Sequence, residues 1–164
     1  MSYEDEFDET EPEEGSDNLL ADDQLRLPEN ANILVRIHAV RAWLDRRQRE
    51  TKLAIGQSAL KMQYIMEEED ERPRRRRTQV DSLQQIQQLQ QAIQDAQEQL
   101  QMFEDAAMLL QECVDHHTSG EGTLVEYYLL LEDALLQVED HPAQVEALSE
   151  VIRRVEHVTA PDLD

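Results

Sequence analysis

Apolar residues are grouped along the 164-residue chain into four periodic stretches, divided by short polar or Pro- and Gly-bearing segments. The clearest begins at Ile86. Ile86, Ile93, Leu100, Ala107 and Val114 recur every seven residues, and Leu89, Ala96, Phe103 and Leu110 each follow three behind. Four heptads of this 3,4 spacing set both series on one stripe of a helix and predict coiled-coil packing over residues 80–117. The stretch before it, residues 33–66, keeps a different period: Ile33, Leu44, Ile55 and Met66 are eleven apart, with Ile37 and Val40 filling the first interval and Ala59 and Met62 the last. An eleven-residue repeat gives about 3.67 residues per turn and predicts a helix that is straight or slightly right-handed. Its middle, at Gln48 and Thr51, is thin in apolar groups. Gly56 costs that helix about 1 kcal/mol against Ala, which marks either a close approach by another backbone or a mild joint.

Two shorter helices follow. Tyr127, Tyr128, Leu131, Leu135 and Val138 make one broad face, and Val145, Leu148, Ile152 and Val155 a second. Breakers and caps set the limits. Pro28, Asn30 and Asn32 precede the first helix, and Pro73 interrupts EEEDERPRRRR between the first and second. The run from Thr118 to Gly122 reads as a loop, Asp140 as a cap with Pro142 in the following first turn, and Thr159, Ala160 and Pro161 as the final stop.

The fold class that follows is all-α. Residues 31–117 are expected to form an elongated antiparallel hairpin of two long helices with an Arg-rich turn at 71–78, and residues 123–158 a shorter C-terminal helical hairpin. Residues 1–30 hold twelve acids and one cation, Arg26, and are expected to be a disordered acidic tail. Scarce Gly, Pro and aromatic residues, with Gln, Glu, Leu and Ala dominant, favour helix over strand.

Charge refines this picture. The formal net charge is −22, yet residues 33–66 carry Arg36, Arg41, Arg46, Arg47, Arg49, Lys52 and Lys61 against only Asp45 and Glu50. Residues 81–117 carry seven acids and no Lys or Arg. The opposition favours pairing of the two helices within one chain, although an exposed ion pair contributes at most about 1 kcal/mol and burial of the seam must decide. The unequal periods leave a second arrangement, in which the heptad stripe pairs with that of another copy.

Chemical motifs are missing. There is no Gly-rich phosphate loop, Cys-x-x-Cys, His-Glu-x-x-His or Glu-x-x-His, so no catalytic residue, metal or cofactor is assigned. In ECVDHH, the pairs Glu112 with His116 and Cys113 with His117 share helix faces, but a tetrahedral site would need a further ligand from elsewhere. Trp43, Tyr64 and Phe103 read as packing residues. A single cysteine forms no intramolecular disulfide, in keeping with a reducing compartment, and no apolar run suits a membrane span. A cytoplasmic location is expected, or a nuclear one in a eukaryotic cell, where the Arg cluster would resemble an import signal.

The chain therefore reads as a non-enzymatic coiled-coil interaction module, a scaffold or assembly subunit. Its partners would be other helical proteins, a second copy among them. The residues expected to act are the seam Ile86, Leu89, Ile93, Ala96, Leu100, Phe103, Ala107, Leu110 and Val114, and the basic tip Arg72, Arg74, Arg75, Arg76 and Arg77. The alternative is a nucleic-acid-associated regulator that binds through this tip and is restrained by its own acidic tail. It is not favoured, because phosphate binding is driven by Lys and Arg and the chain as a whole is acidic.

Overall fold

The computed structural model describes the backbone of residues 32–71 and 76–163 and the side chains of residues 32–69 and 80–159. The chain is all-α, with four helices in order: α1 (Ile33–Glu71), α2 (Arg76–His116), α3 (Gly120–Gln137) and α4 (Pro142–Leu163). The expected acidic tail at 1–30 lies outside the described residues, as do residues 72–75 of the turn expected at 71–78, whose other residues, 71 and 76–78, are helical.

Asn32 caps α1, its side-chain oxygen accepting the Leu34 N–H at 2.7 Å. α1 runs 39 residues, about 58 Å at 1.5 Å per residue, and α2 returns antiparallel along it. Two hydrogen bonds at opposite ends fix the register: Arg41 donates to Gln111 at 3.0 Å, and Ser82 donates to Glu69 at 2.6 Å. One step forward on α1 is thus matched by one step back on α2, which sets Ile55 level with Ala96, Met62 with Leu89 and Ile65 with Ile86.

The period of α1 differs from the expected one. Its partly or fully buried residues beyond Gln48 are Thr51, Ile55, Ser58, Met62, Ile65 and Glu69 along one edge, a 3,4 spacing like that of α2, whereas Ala59 and Met66 of the eleven-residue series are exposed. The two long helices therefore share a period, and the mismatch that weakened the hairpin is absent. The cause is polar seam residues. Thr51 is buried because its hydroxyl is satisfied by the Arg47 carbonyl at 2.7 Å, and Glu69 is held by Ser82.

α3 and α4 pack on the half of the hairpin that holds the start of α1 and the end of α2. The core lies there: Val40 and Leu44 from α1, Phe103 and Leu110 from α2, Tyr127 and Leu131 from α3, Val151 and Val155 from α4. Trp43 is buried with its ring edge-on to Phe103, the centroids 6.0 Å apart, so it serves the core.

The segment read as a loop at 118–122 is shorter than expected. Ser119 is the N-cap of α3, its hydroxyl accepting the Gly122 N–H at 3.0 Å, and helix begins at Gly120. Gly120 is required by a close approach, since a Cβ there would lie 2.6 Å from the Ile33 side chain. Asp140 does not cap α4; the carbonyl of His141 accepts the Val145 N–H at 2.9 Å and Pro142 is the first helical residue. α4 continues through Pro161 to Leu163 instead of stopping at Thr159.

Candidate functional site

α4 reaches the hairpin at Gln99, which donates to Glu146 at 3.1 Å, and at Arg47, which donates to Glu150 at 3.0 Å. Beyond the first turn of α4, which starts at Pro142, only α1 and α2 continue. The result is a two-helix arm of some twenty residues per strand, about 30 Å long.

Two helices bury only one stripe each, so seam residues in the arm keep part of their surface in solvent. Of the predicted seam, Phe103 and Leu110 are fully buried, because they sit at the four-helix end. Ile86, Leu89 and Ile93 in the arm are half-buried, as are Ala96 and Leu100 at its root and Ala107 and Val114 at the edge of the core. Ala106 and Cys113 were not in that set, yet they are buried. The spacing 103, 106, 110, 113 is itself a 3,4 pattern, and it marks the side of α2 that α3 and α4 cover.

The arm also presents large apolar groups outward. Leu53 is 63% exposed, Leu60 67% and Tyr64 63%, with Val80 and Leu83 exposed on α2. Tyr64, expected to pack, is largely exposed. Leu60, Tyr64, Ile65 and Leu89 line a shallow groove of about 660 Å³ with Lys61, Gln85 and Gln88 at its rim. Of the basic tip, Arg72, Arg74 and Arg75 lie outside the described residues, as do the side chains of Arg76 and Arg77, which open α2.

At the junction of arm and bundle, Arg47 is gripped from two sides. It donates to Glu50 at 2.8 Å and to Glu150, and its guanidinium lies 5.0 Å from the centre of the Phe103 ring. Burial alone would lower its pKa; the two carboxylates outweigh that and hold it above the ordinary value.

The third charged cluster joins the end of α2 to α3. His116 Nδ1 lies 3.2 Å from Glu126 Oε1, and His117 Nε2 reaches the same oxygen. The histidine bonds, that of His116 first, hold the Glu126 carboxyl below its ordinary range. Sequence reasoning grouped His116 and His117 with Cys113 and Glu112; Glu126 was missed because it lies across the α2–α3 connection. The three ligand-bearing atoms converge within 4.8 Å, but one carboxylate already engages both rings at the protein surface, which ties the connection to α3.

Cys113 faces the core instead of this cluster. Its thiol is pushed up to about 11, by burial first and then by the Glu126 and Glu112 charges. An unfolded thiol titrates near 9, so from there to about 11 the unfolded chain gives up a proton that the folded chain keeps, and stability falls as pH rises. The limiting slope from one group is about 1.4 kcal/mol per pH unit. Native protein near neutral pH is therefore expected to leave a thiol-specific chromogenic reagent unreacted until denaturant is added. Urea melts of Cys113→Ala should lose part of the alkaline decline; immediate colour from the native chain would contradict the buried, protonated thiol.

No helix among the described residues is long and apolar enough to cross a membrane. No protein-family profile, curated relative or solved structure matches the chain.

Proposed function

We propose that the chain is a non-enzymatic interaction module, an assembly element that docks other proteins along its projecting arm. The observation that supports this is the apolar surface that the arm leaves in solvent. Leu53, Leu60 and Tyr64 stand exposed in one row on a helix that needs no such groups to pair with its neighbour, in addition to the exposed Leu34, Val125, Leu129 and Leu136 of the four-helix end. Contiguous exposed apolar surface of this kind marks docking sites. The thin seam has the same sense, because Thr51, Ser58 and Glu69 take seam positions at the expense of apolar burial.

The test is affinity capture from native extract with the wild-type chain and with Leu53→Asp/Leu60→Asp, each sample divided and one half treated with nuclease. Both positions are exposed, so unchanged helicity is expected of the variant. A protein set that survives nuclease and is lost from the variant is the expected result. The same proteins recovered by both chains would overturn arm docking, and partners lost on nuclease treatment would replace it with nucleic-acid binding through the basic tip.

A further inference from the structure

One face of α1, running from its junction with the bundle out into the arm, carries Arg49, Leu53, Gly56, Leu60, Tyr64 and Glu67, all exposed, at steps of four, three, four, four and three residues. At about 100° per residue these six fall within about 80° of one another, on the side of α1 turned away from the seam with α2. The order is unusual in a way that composition hides. Counted outward from Ser58, Gly56 and Leu60 are two residues away on either side, Leu53 and Tyr64 five and six, and Arg49 and Glu67 nine each. The row is nearly symmetric in position and opposite in charge at its ends.

Gly56 sharpens the point. A glycine inside a helix costs about 1 kcal/mol against Ala. Nothing in the protomer lies within 4 Å of where its Cβ would be, so no intrachain contact calls for its absence. A small residue at the centre of an exposed apolar row suits an approaching side chain.

We propose that this face docks a second copy of the chain, antiparallel, about a two-fold axis passing near Ser58. The proposal rests on the arm being the docking element. In that register Leu60 of each protomer packs over Gly56 of the other, Leu53 meets the far end of the row beside Tyr64, and Arg49 faces the partner's Glu67 at both ends. A parallel pair would oppose Arg49 to Arg49 and Glu67 to Glu67. A two-fold interface must be complementary to itself, and a row that reads cation, Leu, Gly, Leu, Tyr, anion meets that condition only when antiparallel. An unrelated partner would place no such symmetry on the surface. Exposed ion pairs add little energy, so they choose orientation while Leu53, Leu60 and Tyr64 supply the burial.

Sedimentation velocity of the purified chain over a wide concentration range tests this without any other protein. A monomer–dimer equilibrium is expected. Gly56→Glu should leave the monomer folded and its unfolding temperature no lower, since the site is open and a helix glycine is replaced, and should weaken dimerisation at least about tenfold. Arg49→Glu and Glu67→Arg should each weaken it by about fivefold, and the two together should restore it. A chain that stays monomeric at every concentration, a dimer indifferent to Gly56→Glu, or a double reversal no better than the singles would each overturn self-docking. A monomeric chain whose extract partners still depend on Leu53 and Leu60 would overturn this pairing alone and leave the arm as a docking element for other proteins.

Discussion

Phe103→Ala is expected to destabilise the protein by about 3–5 kcal/mol, read as a fall in the urea midpoint by far-ultraviolet circular dichroism. Phe103 is fully buried and sits where the two-helix seam passes into the four-helix core. Its ring takes the edge of Trp43 on one side and the Arg47 guanidinium on another, so truncation opens a cavity and removes two specific contacts. Leu89→Ala, on the same stripe of α2 but half-buried in the arm, should cost only about 1–2 kcal/mol. Equal losses at the two positions would mean that the arm seam is as well covered as the base, contrary to the half-exposed side chains along it.

The second large effect is expected at Tyr127, the largest fully buried side chain among the described residues. Its hydroxyl donates to the Ala106 carbonyl at 2.8 Å and so fastens α3 onto α2. Tyr127→Ala should cost about 3–5 kcal/mol through the cavity, and Tyr127→Phe, which keeps the ring, about 1 kcal/mol for the hydrogen bond. Burial holds the phenol far above the ordinary tyrosine range. Above about pH 10 an unfolded tyrosine gives up its proton and the folded one does not, so stability declines as pH rises through that region. Tyr127→Phe should flatten that decline while leaving the neutral-pH loss small. An unchanged alkaline limb would show that other groups govern it.

The four helices were legible because α2, α3 and α4 carry apolar residues at helical spacing, with Pro and polar breaks between them. The pairing edge of α1 was not legible. Hydrophobicity alone selects Met66 and Ala59, which are exposed, and passes over Thr51, Ser58 and Glu69, which face α2. Polar seam residues are invisible to a search for apolar period, and the register of the hairpin supplies what that search lacks. Gly120 misled for a related reason: glycine reads as loop, whereas here it admits Ile33 at the first turn of a capped helix. Ser119 was the available sign, as an N-cap residue directly before it. Of the candidate site, the α2 stripe was readable in position but not in depth. Nothing in a heptad says that Phe103 is covered by two further helices and Leu89 by none. Glu126 could not be joined to His116 and His117 without knowing how the connection closes, and the outward row on α1 was hidden by treating Tyr64 as core.

The hairpin cross-links also set a schedule for folding. Ser82 and Glu69 are 13 residues apart in sequence, whereas Arg47 and Glu150 are 103 apart. Closing the longer loop costs about 2 kcal/mol more chain entropy than the shorter. The chain is thus easiest to zip where it holds least, at the tip of the arm, and the contacts that secure it come from its most distant segments. Early pairing of α1 with α2 gains its fully buried contacts when α3 and α4 cover Phe103 and Leu110. Folding so ordered is cooperative at the base, and it leaves the arm the first part to form and the first to open.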